Sequence, residues 1–148
     1  MHRIAALSLA IVLLAAPLCR ARDLAVIVNK TNSTSTLTAA ELEKVLKAAA
    51  PWPDGKKVKV FLVDPDSNDQ KAILQRVYKM PPAELTAFAE AHKVDIQIVA
   101  SDEIVLTMVD ANPGALGIVN VYSINSQVKV LKVEGKLPME QGYLLHGN

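Results

Sequence analysis

The chain has 148 residues and a mass of 16.0 kDa, which fits one domain and leaves little room for two. Its 51% hydrophobic content and mean hydropathy of +0.22 exclude a disordered chain, six glycines and eight prolines exclude a collagen-like one, and one cysteine excludes an internal disulfide or a structural zinc cluster. Sixteen Lys and Arg against fifteen Asp and Glu, with no block of either sign, argue against nucleic acid as a partner.

Met1 to Arg3 give a short basic start and Ile4 to Pro17 an uncharged apolar run. That run is shorter than the roughly 20 residues a membrane-spanning helix needs, and it suits a secretory signal peptide. Small residues at Cys19 and Ala21 place the cut after Ala21, giving a signal peptide over 1–21 and a domain over 22–148. A lipid anchor at Cys19 is disfavoured, because Leu18 and Pro17 stand where a lipid-attachment site needs a small residue. Cleavage leaves 14 basic and 15 acidic residues, a net charge of −1, and no cysteine. The expected location is periplasmic or secreted, with no transmembrane span after cleavage, and thiol catalysis is excluded.

Leu24 to Val28 is an unbroken apolar run, predicted as a strand buried on both faces. Asn29 to Ser35 is a polar loop, and Thr38 to Glu41 is a capping box that opens a helix with Leu42, Val45 and Leu46 on its inner face. Pro51 to Gly55 is a turn, in which Trp52 is read as a lid over the core. Val58 to Val63 is a strand, and Ser67 is predicted to cap a helix with Gln70 at its third position and Ile73, Leu74, Val77 and Tyr78 facing inward. Met80 to Pro82 breaks that helix and starts another through Leu85 and Phe88. Val94 to Val99 is a strand with one wet face, Ser101 caps a helix through Ile104, Val105, Met108 and Val109, and Leu116 to Val121 returns to the sheet. Val128 to Val133 is a last strand, and a loose tail runs from Gly135 to Asn148. The alternation predicts an α/β class with a mostly parallel or mixed sheet of about five strands flanked by helices.

No catalytic constellation emerges. His92, near a helix end, reads as a surface residue, and His146 sits in the tail, where a preorganised site is hard to build. Asp64, Asp66 and Asp69 lack the glycine and the distant glutamate of a calcium loop, so no metal or cofactor is expected. Ser67-Asn68-Asp69, at a helix start directly after a strand, offers free N–H groups to a small anion. The same turn reads as plain capping, since Asp66 and Asp69 would repel an anion.

The order of Ser35 to Leu42, the turn Trp52 to Gly55, a Ser-led helix after a strand, and Asn112 to Val119 resembles the phosphate-binding substrate-binding proteins of ABC transporters, above all their short single-domain members. The resemblance runs from about Leu24 to about Tyr143 and implies a single lobe of a type II periplasmic-binding-protein fold. In that family two lobes close on an oxyanion held by helix N-termini, hydroxyls and an arginine. It places the phosphate-binding hydroxyl at Ser67, a second helix start at Thr38, and Asn68 and Lys71 where the family pattern has a glycine and an arginine region. The function expected is a non-enzymatic module that binds phosphate or another small oxyanion through Thr38, Ser67, Asn68 and Lys71. A second chain, partner or self, would complete the cleft. The alternative is an accessory module that kept the lobe without the ligand and docks through the same face, marked by an exposed apolar patch beside Trp52 and Ser67.

Overall fold

A computed structural model of the chain describes residues 22–65, 67 and 70–147. The predicted signal peptide with Cys19, Asn68 and Asp69 of the turn read as an anion site or a plain cap, and Asp66 beside it, lie outside the described residues. The elements in order are β1 (Leu24–Asn29), β2 (Thr36–Leu37), α1 (Ala39–Leu46), β3 (Lys59–Val63), α2 (Lys71–Tyr78), α3 (Pro82–Ala91), β4 (Ile96–Val99), α4 (Asp102–Ala111), β5 (Ala115–Asn120), β6 (Val128–Val130) and β7 (Lys132–Val133).

The main sheet has five strands in the order β4-β3-β5-β1-β6. Strand β3 runs parallel to β4 and β5, while β1 runs antiparallel to β5 and β6, so the sheet is mixed. Helices cover both faces, which is why β1 is apolar at every position from Leu24 to Val28. Leu24, Val26 and Val28 join the core built by α1, α2 and α3, around Leu42, Leu46, Leu74 and Tyr78. Ala25 and Ile27 point the other way, into the core beneath Val105, Leu106 and Val109 of α4. Gly117 lets α4 sit this close, because a Cβ there would meet Val105 Cγ1 at 2.3 Å. Trp52 is the predicted lid: it is 2% exposed, and its indole N–H donates to Gly114 O at 2.9 Å.

Two predicted caps are present, with Thr38 Oγ1 accepting from Glu41 N at 3.2 Å and Ser101 Oγ from Ile104 N at 3.4 Å. The cap predicted at Ser67 is not. Ser67 instead donates its N–H to Asp64 O, and its carbonyl accepts from Gln70 and Lys71, so a turn comes first and α2 starts at Lys71. Ile104, in the helix that Ser101 caps, is 41% exposed. The strand expected over Val94–Val99 is shorter, because the N–H groups of Asp95 and Ile96 turn back to His92 O and leave Val94 72% exposed. The last predicted strand divides: β6 stays in the main sheet and β7 leaves it to pair in parallel with β2, a two-residue strand too short to carry a pattern. The tail is not loose. Tyr143 and Leu145 are buried, and the Tyr143 hydroxyl donates to Leu24 O at 2.7 Å, a partner that no local reading of the tail could see.

Candidate functional site

From β3 the chain passes through α2 and α3 on one face to β4, and from β4 through α4 on the opposite face to β5. The two crossovers leave the sheet in opposite directions between β3 and β5, and a crevice opens at the carboxyl ends of such a strand pair. A pocket of about 340 Å³ lies there. Val63 at the end of β3, Ser67 and Gln70 ahead of α2, Asp102 at the start of α4 and Asn120 at the end of β5 line it. Because β1 is antiparallel to β5, its beginning falls at the same end of the sheet, with Leu24 opposite Asn120, and this brings Arg22 to the pocket.

The wall formed by α4 and β5 is held by one carboxylate. Asp102 Oδ2 accepts from Asn120 N at 3.0 Å and from the Ser123 hydroxyl at 2.6 Å. Asn120 Oδ1 in turn accepts from Tyr122 N at 3.0 Å and caps a single 3-10 turn, Val121–Ser123. Facing that turn, the exposed guanidinium of Arg22 lies 5.7 Å from the centre of the Tyr122 ring. On the α2 side Gln70 is 6% exposed, and its Oε1 is buried without a hydrogen-bond partner, an uncommon and costly state for a polar atom. The pocket therefore combines a cation, hydroxyl and amide groups and an acceptor, the Asp102 carboxylate, with Gln70 Oε1 buried unpaired in its wall. That set suits a small anion which itself carries a hydrogen-bond donor.

Of the sequence-predicted site residues, Ser67 lines the pocket. Lys71 follows Gln70 as the first residue of α2 and is exposed, outside the lining. Thr38 caps α1 away from the lining residues, where Glu134 Oε1 accepts from the Ala39 N–H at 2.6 Å and supplies the negative charge at that helix start. Asn68 is outside the described residues. Arg22, Gln70, Asp102 and Asn120 were missed as site residues. Their common signal was position, since each flanks an end of a strand or helix that the topology gathers at one rim. His92 behaves as expected of a surface residue, stacked on Phe88 with ring centroids 4.2 Å apart. Among the described residues no helix is long and apolar enough to cross a membrane.

The chain matches no family model and no curated protein. Solved structures do match. An ABC-type phosphate transport receptor from Vibrio cholerae superposes with a TM-score of 0.68 at 19% identity, over 85% of this chain and 54% of that one. PstS from Borrelia burgdorferi gives 0.66 at 18%, over 86% and 55%. A candidate phosphate ABC transporter substrate-binding protein from Clostridium perfringens, solved with bound phosphate, gives 0.64 at 21%, over 77% and 46%. The chain spans about half the length of these solved structures. At such identities the likeness is one of fold, and it agrees with the expected lobe: a mixed five-stranded α/β sheet of the periplasmic-binding-protein type.

Proposed function

We propose that this lobe is an exported, non-enzymatic module that binds a small protonated oxyanion, inorganic phosphate first among them, in the pocket between β3 and β5. The observation that carries the reading is the gathering of Arg22, the Asp102 carboxylate and one unsatisfied buried acceptor, Gln70 Oε1, around one crevice at the switch point of the sheet. Arg22 supplies the positive charge, and Ser67 and the Asn120 amide supply neutral donors. Hydrogen phosphate can donate its remaining proton to the Asp102 carboxylate, while sulfate has none to give. The repulsion between that carboxylate and an anion with no proton to share then weighs against sulfate. The solved neighbours named for phosphate, one of them with the ion bound, support this choice of ligand.

Titration calorimetry with phosphate, sulfate and acetate on protein produced from the full chain tests the proposal. Phosphate is expected to bind more tightly than sulfate. Arg22→Ala should weaken phosphate about tenfold or more, as loss of a charge-assisted hydrogen bond implies. No heat at millimolar phosphate, or an affinity unchanged by both Arg22→Ala and Ser67→Ala, would sink it.

The second reading is the accessory module. Tyr122, which lines the pocket, and Met139, whose N–H bonds to Asp23, are large apolar side chains 60% and 68% exposed, open to a partner. Trp52 takes no part in such a patch, being buried. Concentration-dependent association in light scattering, without phosphate binding, would favour this reading.

A further inference from the structure

Asp23 stands between two pocket residues, Arg22 and Leu24, and is 5% exposed. Its carbonyl accepts from Val121 N at 3.0 Å, at the turn that carries Tyr122 and Ser123. Its carboxylate turns the other way, into the C-terminal tail: Oδ2 accepts from Met139 N at 2.6 Å, and Oδ1 lies 2.5 Å from His146 Nδ1. Leu24 is held by the same segment, donating its N–H to Leu145 O at 3.0 Å and accepting from the Tyr143 hydroxyl at 2.7 Å. The end of the tail is also tied to α2, where Arg76 Nη2 donates to His146 O at 2.5 Å. Four tail residues thus grip the dipeptide that follows Arg22.

Resting on the reading of the pocket above, we infer that the segment from Met139 to His146 is a brace for the site, and that Asp23 and His146 are positioning residues for Arg22. A carboxylate this deeply buried needs donors around it, and the tail provides them. The His146 side chain is 63% exposed, so its removal costs little packing yet strips Oδ1 of its partner. The exposed guanidinium of Arg22, one residue away, is then drawn to the uncompensated carboxylate. It leaves the Tyr122 ring, and the pocket loses its cation.

The test uses protein from the full chain and two readouts. In ligand-free protein, ¹⁵N relaxation of the Arg22 Nε–H group and its nuclear Overhauser contacts to the Tyr122 ring report the arginine directly. With phosphate, calorimetry reports affinity. His146→Ala should abolish the contacts to Tyr122 as Arg22 turns to Asp23, and weaken phosphate about tenfold, the effect of losing one charge-assisted bond. His146→Gln, whose amide can donate to Asp23, should restore both, and Tyr143→Phe should loosen Arg22 through Leu24 even if His146→Ala melts without cooperativity. An Arg22 that keeps its Tyr122 contacts in His146→Ala and Tyr143→Phe overturns the inference. If the parent protein binds no phosphate, the pocket reading fails, and the ligand-free relaxation still decides the brace.

Discussion

Gly117→Ala tests whether the close approach of α4 to the sheet is as tight as the packing requires. The added Cβ would lie 2.3 Å from Val105 Cγ1 and 3.1 Å from Val109 Cγ2. Methyl groups rest about 3.5–4.0 Å apart, so the first contact is short by roughly 1.5 Å and α4 has to lift. Overpacking of this kind costs about 1–3 kcal/mol, offset in part by the roughly 0.5–1 kcal/mol that a strand gains when glycine becomes alanine. Val105→Ala alone removes two buried methyl groups, worth about 1.6 kcal/mol in transfer and more with the cavity left behind. In the double variant the new methyl occupies the space the valine vacates. Its destabilisation should therefore fall short of the sum of the two single variants by about 1–2 kcal/mol. Urea unfolding followed by the fluorescence of Trp52, the sole tryptophan, measures all three. Additive losses would show that Gly117 and Val105 do not compete for one space, and the tight-packing argument would fall. The single variant also carries a functional readout, since lifting α4 strains the 3.0 Å bond from Asn120 N to Asp102 and should weaken phosphate binding.

Burial pushes the Tyr78 hydroxyl well above the ordinary tyrosine range, and burial followed by the charge of Asp23 does the same for Tyr143. Both stay protonated in the fold while the unfolded chain ionises near 10, so stability is complete below about pH 10 and falls as pH rises beyond it. Tyrosinate absorbance from these two should appear together with loss of the circular dichroism signal, and their titration in a fully folded protein would contradict this. Lys79, whose φ is 56°, holds the left-handed position that ends α2. Lys79→Gly should stabilise by about 0.5–1 kcal/mol despite losing the pair to Glu43 at 3.2 Å, a carboxylate that Lys47 first and Lys79 second hold below its usual range. A lower melting temperature would refute it. Expression of the full chain in a Gram-negative host should yield an intact mass starting at Arg22, and retention of residues 1–21 or a lipid on Cys19 would overturn the export reading.

Most of the fold was legible because its signals are local. The apolar run of β1, the caps at Thr38 and Ser101, and the periods of α1 and α2 each lie within a dozen residues, and each matches an observed element. The site was less legible because it is assembled from five separate places in the chain. Ser67 was found by its place after a strand, but nothing near Arg22, Asp102 or Asn120 says that they share a rim. Only the switch in crossover direction, a property of the whole sheet, brings them together. The tail was misjudged for the same reason: the partners of Tyr143 and His146 are Leu24 and Asp23, at the far end of the chain. The main local error is the cap at Ser67: its carbonyl takes the Gln70 and Lys71 N–H groups in a turn, and α2 begins at Lys71 without a side-chain cap.

The place of β1 bears on when this protein can fold. The first described strand is an interior one, and its neighbours β5 and β6 are made about ninety to a hundred residues later in the chain, a separation that slows folding. Until both exist, five consecutive apolar residues have nowhere to go. The sheet cannot close while the C-terminal third is still being synthesised, so a growing chain stays unfolded at its leading end. Under the export proposed above this order is an advantage, because translocation can begin before there is any structure to undo. The same delay exposes a sticky segment, so slowed export should show itself first as aggregation through residues 24–28 rather than as misplacement of a finished fold.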